Sequence, residues 1–256
     1  MEKIEHSFLS IRGLNLHIAH IGKGELGTVV FLHGFPEIWY SWRHQMIAVA
    51  EAGFRAIAPD FRGYGLSEQP PEPEKATWED LVDDLLAILD SLSIPKKPGR
   101  AEADFARFDV KTVVRTVYIL FSKSEIPIAG EGQEIMDLAD STTPLPEWFT
   151  DEDLAAYASL YEKSGFKFPL QMPYRSLTKW AYESDPKVEV PALLVMGEKD
   201  YCLKFPGVED YIRSGMVKNV VPDLEIIYMP EGSHFVQEQF PDQVNQHIIK
   251  FLKSHV

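Results

Sequence analysis

The sequence has only one cysteine and no long apolar run. Both features limit the cellular compartments in which the chain is expected. Cys202 is the only cysteine among 256 residues, which excludes an intrachain disulfide and fits a reducing compartment. No stretch approaches the roughly 18 consecutive apolar residues of a membrane span. The N-terminus carries no signal-peptide pattern, and the last three residues match no peroxisomal or endoplasmic-reticulum address. We therefore expect a cytosolic protein with no membrane span.

The sequence also lacks an excess of basic residues. It contains 25 Lys and Arg against 39 Asp and Glu, which gives a formal net charge of −14. Nucleic acids and anionic membranes bind basic surfaces, so neither is expected as a partner. The length suits one large α/β domain or a domain with an inserted cap.

Strand and helix signals alternate in the first part of the chain. Residues 14–21 alternate in polarity like a half-buried strand, and the apolar run at 28–32 predicts a buried parallel strand. A helix over 40–52, a second buried strand over 54–58 and a capped helix over 77–92 follow. This order predicts an α/β fold with a doubly wound parallel sheet.

A helical stretch then interrupts the alternation. Only helical signals occur from residue 104 to about 182, including a helix over 110–121 and one that opens with a capping box of Thr150 and Asp153 and ends near Tyr161. Aromatic side chains crowd this stretch, which we interpret as a helical cap.

Parallel-sheet signals return afterwards, with strands predicted over 191–196 and 224–229 and a last helix starting at Pro241. We predict a core formed by residues 1–97 and 186–256, with the cap at 98–185.

Three groups of residues stand where parallel strands end. His33-Gly34-Phe35-Pro36 follows the strand at 28–32, and its backbone N–H groups are suited to holding an oxyanion. Asp200 and His234 follow the strands at 191–196 and 224–229. Because such strand ends meet at one edge of a sheet, we predict that Asp200 orients His234 as a base.

Other polar residues are interpreted as structural. Asp60 and Arg62 follow the strand at 54–58 and are expected to brace their loop by hydrogen bonds. His17 and His20 are three apart in a strand, so they face opposite sides and cannot share a metal. Cys202 has no basic residue beside it in the sequence, which predicts an unreactive thiol.

The sequence lacks a nucleophile in the expected place. In α/β-hydrolases a nucleophile on a strand–turn–helix elbow precedes the acid and the histidine. Here the helix ending near Leu92 leads through Ser93-Ile94-Pro95-Lys96-Lys97 directly to Pro98-Gly99-Arg100. The strand, the turn and the next helix are missing from that place.

Taken together, these motifs resemble the soluble epoxide hydrolases, most closely the plant type, over nearly the whole chain. The similarity rests on six motifs: His33-Gly34-Phe35-Pro36-Glu37, Ser41-Trp42-Arg43, Asp60-Phe61-Arg62-Gly63-Tyr64-Gly65, Met172-Pro173-Tyr174-Arg175, Asp200 and Gly232-Ser233-His234-Phe235.

The resemblance implies an α/β-hydrolase core with a helical cap and a two-step hydrolysis of a small apolar epoxide to a diol. A carboxylate attacks an epoxide carbon while cap tyrosines, one of them Tyr174, bind the opening oxygen. His234, oriented by Asp200, then activates water against the alkyl-enzyme ester, whose oxyanion the N–H groups around Phe35 hold. No metal or organic cofactor is implied.

The departure from the family is confined to one place. The family's nucleophilic aspartate and its strand are expected after Lys96, and the chain resumes at Pro98 in what resembles the start of the cap, so roughly 30 or more residues are missing. The other cap tyrosine is lost with them. Asp60, Asp104 and Asp109 are the carboxylates considered as substitutes, and none is expected to reach the required position.

We therefore predict an epoxide-hydrolase-family chain that is inactive as written. The alternatives are a hydrolase of the esterase or dehalogenase kind with an improvised nucleophile, a non-catalytic module that binds apolar ligands, and a chain that does not fold stably. The omission also predicts that the strands at 28–32 and 191–196 either pair with each other or leave open edges that promote aggregation.

Overall fold

The computed structural model describes residues 4–11, 14–72, 100–130, 132–170 and 187–255. Its strands are β1 (Glu5–Ile11), β2 (Leu14–Ile21), β3 (Thr28–Val30), β4 (Arg55–Pro59), β5 (Ala192–Gly197) and β6 (Leu224–Met229). Its α-helices are α1 (Arg43–Glu51), α2 (Arg100–Phe105), α3 (Val110–Phe121), α4 (Asp151–Tyr161), α5 (Val208–Arg213), α6 (Val236–Gln239) and α7 (Pro241–Ser254). Short 3-10 helices occupy Trp39–Trp42, Ile135–Leu138, Tyr201–Lys204 and Met216–Asn219.

The described strands form two sheets. Four strands lie in the order β1-β2-β4-β3, in which only β3 and β4 are parallel to each other. β5 and β6 form a separate parallel pair in which Met196 lies opposite Tyr228. Parallel strands and helices together give the α/β class that the sequence predicts.

Several elements begin and end where the sequence predicts them. β2, β6 and α3 match the predicted ranges, and α4 opens with the capping box of Thr150 and Asp153. β1 has no counterpart among the predicted strands; it pairs with β2 throughout its length. The helix predicted over 77–92 lies outside the described residues.

The burial predicted for β3 is wrong. The strand has only three residues, and Val30 is 55% exposed. Within the described part of the chain, β3 pairs with β4 on one side and with no strand on the other, and it does not pair with β5. An apolar run is buried only when neighbours cover it, and here the neighbour on one side is missing from the described sheet.

One apolar core joins the N-terminal sheet to the helices that follow it. Ala56 and Ala58 of β4 belong to the same buried cluster as Val113 and Tyr118 of α3 and Leu154 of α4. The stripe of apolar residues along α3 therefore packs inward, as its helical spacing predicts. The division into core and cap at residues 97 and 186 stays a prediction.

None of the helices in the described ranges has the length and apolarity that crossing a membrane requires.

Candidate active site

Asp200 and His234 lie in direct contact at the ends of neighbouring parallel strands. Nδ1 of His234 is 3.1 Å from both carboxylate oxygens of Asp200. Asp200 comes three residues after β5 and His234 five residues after β6, so both loops leave the same edge of the pair. The structure thus brings together Asp200 and His234, which the sequence predicts to meet because each follows a parallel strand.

A close backbone contact fixes the distance between these two loops. The N–H group of Lys199 donates to the carbonyl of Gly232 over 2.8 Å. A Cβ at Gly197 would lie 2.3 Å from the same carbonyl oxygen, closer than real Cβ atoms come. Glycine at position 197 therefore lets the loop that carries His234 lie directly against the end of β5.

The hydrogen bond between the two side chains moves both pKa values. Burial opposes the charged imidazolium, but hydrogen bonds to Asp200 and Cys202 outweigh it and raise the pKa of His234 to about 10. Burial also opposes the Asp200 carboxylate, yet the His234 hydrogen bond leaves its pKa below the usual value. Both shifts favour the ion-paired form of the two side chains.

Cys202 corrects one expectation from the sequence. Its Sγ atom lies 3.7 Å from Nδ1 of His234, so the thiol has a basic neighbour after all. The 3-10 turn Tyr201–Lys204 folds back over Asp200, and Oδ1 of Asp200 accepts the N–H of Cys202 at 2.8 Å. The partner is 32 residues away in the chain, which is why inspection of neighbouring residues missed it.

His33 holds the predicted oxyanion loop against the loop after β4. The N–H of Phe61 donates to Nε2 of His33 over 3.0 Å, so Nδ1 carries the proton and donates to the carbonyl of Gly34 over 2.9 Å. Burial lowers the pKa of His33, which keeps the ring neutral. His33 thus connects the loop at 33–37 to the loop after β4. The sequence predicts only its place in the oxyanion loop and not this structural contact.

The helical region also forms hydrogen bonds with the loop at 33–37. The hydroxyl of Tyr161, at the end of α4, donates to the carbonyl of Pro36 over 2.8 Å. The Glu37 side chain is partly buried, and its carboxylate accepts a hydrogen bond from the side-chain amide of Gln237 on α6. Burial raises the pKa of Glu37, and the charge of His234 opposes that rise. The loop at 33–37 is therefore tied to both α4 and α6.

Glu238 forms a buried polar cluster that the sequence reading missed. Its carboxylate accepts hydrogen bonds from Arg43 at 2.7 Å, from Tyr157 at 2.9 Å and from Tyr118 at 3.1 Å. Burial raises the pKa of Glu238 to about 7 although Arg43 opposes the shift. One sequence signal could have revealed the cluster: the charged residue Glu238 lies among the apolar residues Phe235, Val236 and Phe240.

Tyr174, the cap tyrosine that the resemblance implies, lies outside the described residues. Of the other predicted residues, Asp200 and His234 are in contact, and the loop His33-Gly34-Phe35-Pro36 is connected to the segment after His234 through the hydrogen bond of Gln237 to Glu37. The oxyanion role of the loop stays a prediction.

Comparisons with known proteins show the class of protein to which this fold belongs. A family model described as "alpha/beta hydrolase fold" matches residues 27–97. The structure of a mutant Vigna radiata epoxide hydrolase superposes with a TM-score of 0.84 at 31% identity, covering 99% of this chain and 100% of the other. A mutant of potato epoxide hydrolase gives a TM-score of 0.81 at 28% identity, with 98% and 100% covered. The protein is an α/β-hydrolase.

Sequence relatives narrow the class to a family. "Epoxide hydrolase 1" of Siraitia grosvenorii is 31% identical over 319 aligned positions, with 99% of this chain and 100% of the relative covered. "Bifunctional epoxide hydrolase 2" of Rattus norvegicus is 27% identical and covers 99% of this chain with 56% of its own length. The chain belongs to the soluble epoxide hydrolase family of the α/β-hydrolase superfamily.

Proposed function

We propose that this chain keeps the acid and base of an epoxide hydrolase but does not hydrolyse epoxides, because it has no nucleophile to form the alkyl-enzyme ester. One observation carries the proposal. The Siraitia grosvenorii relative aligns over 319 positions although this chain has only 256 residues, so the relative contains residues without counterparts here. The family-model match ends at Lys97, beside the junction where the sequence predicts the missing elbow.

In this proposal His234 is the base that would activate water, and Asp200 orients it through Nδ1. The loop around Phe35 would hold an oxyanion, and Tyr174 would bind the opening epoxide oxygen. A small apolar epoxide is the ligand class, and the cytosol is the proposed location. The first chemical step, attack of a carboxylate on an epoxide carbon, has no residue to perform it.

Asp60 is a poor substitute for the nucleophile because the fold uses both of its oxygens. Oδ1 accepts the N–H of Trp39 at 2.9 Å, and Oδ2 lies 2.9 Å from Nδ1 of His17 and accepts the N–H of Leu66 at 3.1 Å. The side chain is fully buried. These contacts agree with the loop-bracing role predicted from the sequence.

Asp104 and Asp109 are bound within the helical region. Asp104 is buried, accepts the N–H of Met136 at 3.1 Å and pairs with Arg107. Asp109 caps α3 by accepting the N–H of Thr112 at 2.7 Å. Freeing either carboxylate for attack would break the local structure that holds it.

Glu37, whose carboxyl group is affected by the charge of His234, and Glu238, four residues after His234 in the chain, are badly suited to attack. Burial raises the pKa of both carboxyl groups, which favours the neutral, non-nucleophilic form. Glu238 is also surrounded by three donors, from Arg43, Tyr118 and Tyr157. In this proposal both carboxyl groups therefore have structural roles.

A turnover assay tests the proposal. The purified chain is incubated with an aromatic epoxide such as stilbene oxide, and diol is measured against the His234→Ala variant. We expect no difference between the two proteins. Diol formed by the natural chain and abolished in the variant would overturn the proposal.

A chimera supplies the positive control. The segment of the Siraitia grosvenorii relative that has no counterpart here is inserted between Lys97 and Pro98. We expect this chimera to form diol, and to lose that activity with His234→Ala.

A further inference from the structure

Three different metal-ligating side chains converge at the end of the β5–β6 pair. A carboxylate oxygen of Asp200, Sγ of Cys202 and Nδ1 of His234 all lie within 4.8 Å of one another. Asp200 is buried, whereas the other two side chains are partly exposed. The cluster therefore combines one oxygen, one sulfur and one nitrogen ligand at a place that solvent reaches.

Two of the three separations are close to those of a tetrahedral zinc site. Zinc binds thiolate sulfur at about 2.3 Å and imidazole nitrogen or carboxylate oxygen at about 2.0–2.2 Å. Neighbouring ligand atoms around a tetrahedral zinc ion are thus about 3.3–3.6 Å apart. Sγ of Cys202 is 3.7 Å from Nδ1 of His234, and Nδ1 is 3.1 Å from the Asp200 oxygens. The third separation, between Sγ of Cys202 and an Asp200 oxygen, is within 4.8 Å, so side-chain movements would let all three atoms reach a common ion.

The surrounding contacts hold the ligands in this arrangement. The N–H of Cys202 donates to Oδ1 of Asp200 and leaves Oδ2 to face the cluster. The ring of His234 packs between Tyr201 and Phe235, at centroid distances of 4.8 and 5.2 Å. Such outer contacts orient metal ligands before the ion binds.

We propose that Asp200, Cys202 and His234 bind a borderline-soft divalent cation of the Zn²⁺ class, with water in the fourth position. The ion would take the place of the proton between His234 and Asp200, so metal binding and orientation of the base by Asp200 exclude each other. The inference rests on ligand geometry alone and does not depend on whether the chain hydrolyses epoxides.

Co²⁺ is a suitable probe because its bond to thiolate gives a charge-transfer absorption. Cys202 is the only cysteine, so such a band can come from no other residue. We expect Co²⁺ titration of the reduced chain to give the band and to saturate at one ion per chain. Added Zn²⁺ should abolish the band by displacing Co²⁺.

Variants test each ligand. Cys202→Ser should remove the band, and Asp200→Asn or His234→Ala should weaken binding by at least the roughly 10–100-fold seen on losing an outer-shell partner. His255→Ala, which removes an exposed histidine, serves as the matched control and should leave binding unchanged. Urea unfolding of the metal-free variants checks that each still folds.

Two results would overturn the proposal. One is Co²⁺ binding without a thiolate band, or with affinity that Asp200→Asn leaves unchanged. The other is saturation at half an ion per chain, which would mean that Cys202 residues of two chains share the metal.

Discussion

Arg43 on α1 and Glu238 on α6 form an ion pair in the interior, with Nη1 of Arg43 2.7 Å from Oε2 of Glu238. Both side chains are buried, and Nη2 of Arg43 reaches Asp153 of α4 at 2.8 Å. The pair therefore ties the segment that follows His234 to the first helix and to the helical region.

Replacing Arg43 with Ala should destabilise the fold strongly. The change leaves Glu238 buried without a cation, and breaking a buried pair from one side costs about 3–5 kcal/mol. Urea unfolding followed by circular dichroism measures the loss. Arg213→Ala is the control because Arg213 is 40% exposed in its pairs with Glu198 and Glu209, and exposed pairs contribute little to stability, so its loss should be much smaller. Equal losses in the two variants would contradict this account.

Glu238 should make stability depend on pH between about 4.5 and 7. Its pKa is raised to about 7 in the fold, where it faces Arg43, Tyr118 and Tyr157, and the nearby Glu37 pKa is raised too. The folded chain thus holds these protons more tightly than the unfolded chain, so its free energy of unfolding falls as pH rises through this window. Glu238→Gln should flatten the fall. Urea midpoints measured from pH 4.5 to 8 check this, with Glu209→Gln as an exposed control that should leave the slope unchanged.

Gly197→Ala should weaken the contact between β5 and the loop that carries His234. The added Cβ would meet the Gly232 carbonyl at 2.3 Å, and overpacking of this kind costs about 1–3 kcal/mol. Gly130→Ala is the matched control, because its Cβ meets only the movable end of Gln133 at 3.2 Å. The measurement is the urea midpoint of each variant. A control as unstable as Gly197→Ala would show that the close approach is not the cause.

Val30→Lys should reduce association of the chain in solution. Val30 is 55% exposed on β3, which has one strand partner in the described sheet, and exposed apolar edges promote pairing between chains. Light scattering against protein concentration measures the effect. Ile128→Lys is the control, because it removes an even more exposed apolar side chain that lies outside any strand. It should reduce association less than Val30→Lys does. An equal benefit from both would mean that general hydrophobicity, and not the open edge, drives association.

Local patterns predicted a large part of this fold. The capping box of Thr150 with Asp153 and the apolar stripe of α3 depend on residues within a few positions, and both are confirmed. The contact between Asp200 and His234 also followed from the sequence, because parallel strands bring their ends to one edge.

The rest depends on contacts between distant residues. Tyr118 and Glu238 are 120 positions apart, and no local pattern pairs them. The same holds for Cys202 and His234. β3 reads as a buried strand because its residues are apolar, but its burial depends on a neighbouring strand that its own sequence does not specify.

The proposed absence of a nucleophile is tested most directly by measuring the mass of the His234→Ala variant after incubation with excess epoxide. Without the base, any alkyl-enzyme ester that forms cannot be hydrolysed and accumulates. The chimera with the inserted segment, also carrying His234→Ala, should gain the mass of one epoxide. We predict that the natural chain with His234→Ala keeps its mass unchanged. An adduct on that chain, mapped by peptide analysis to one of its carboxylates, would contradict the account.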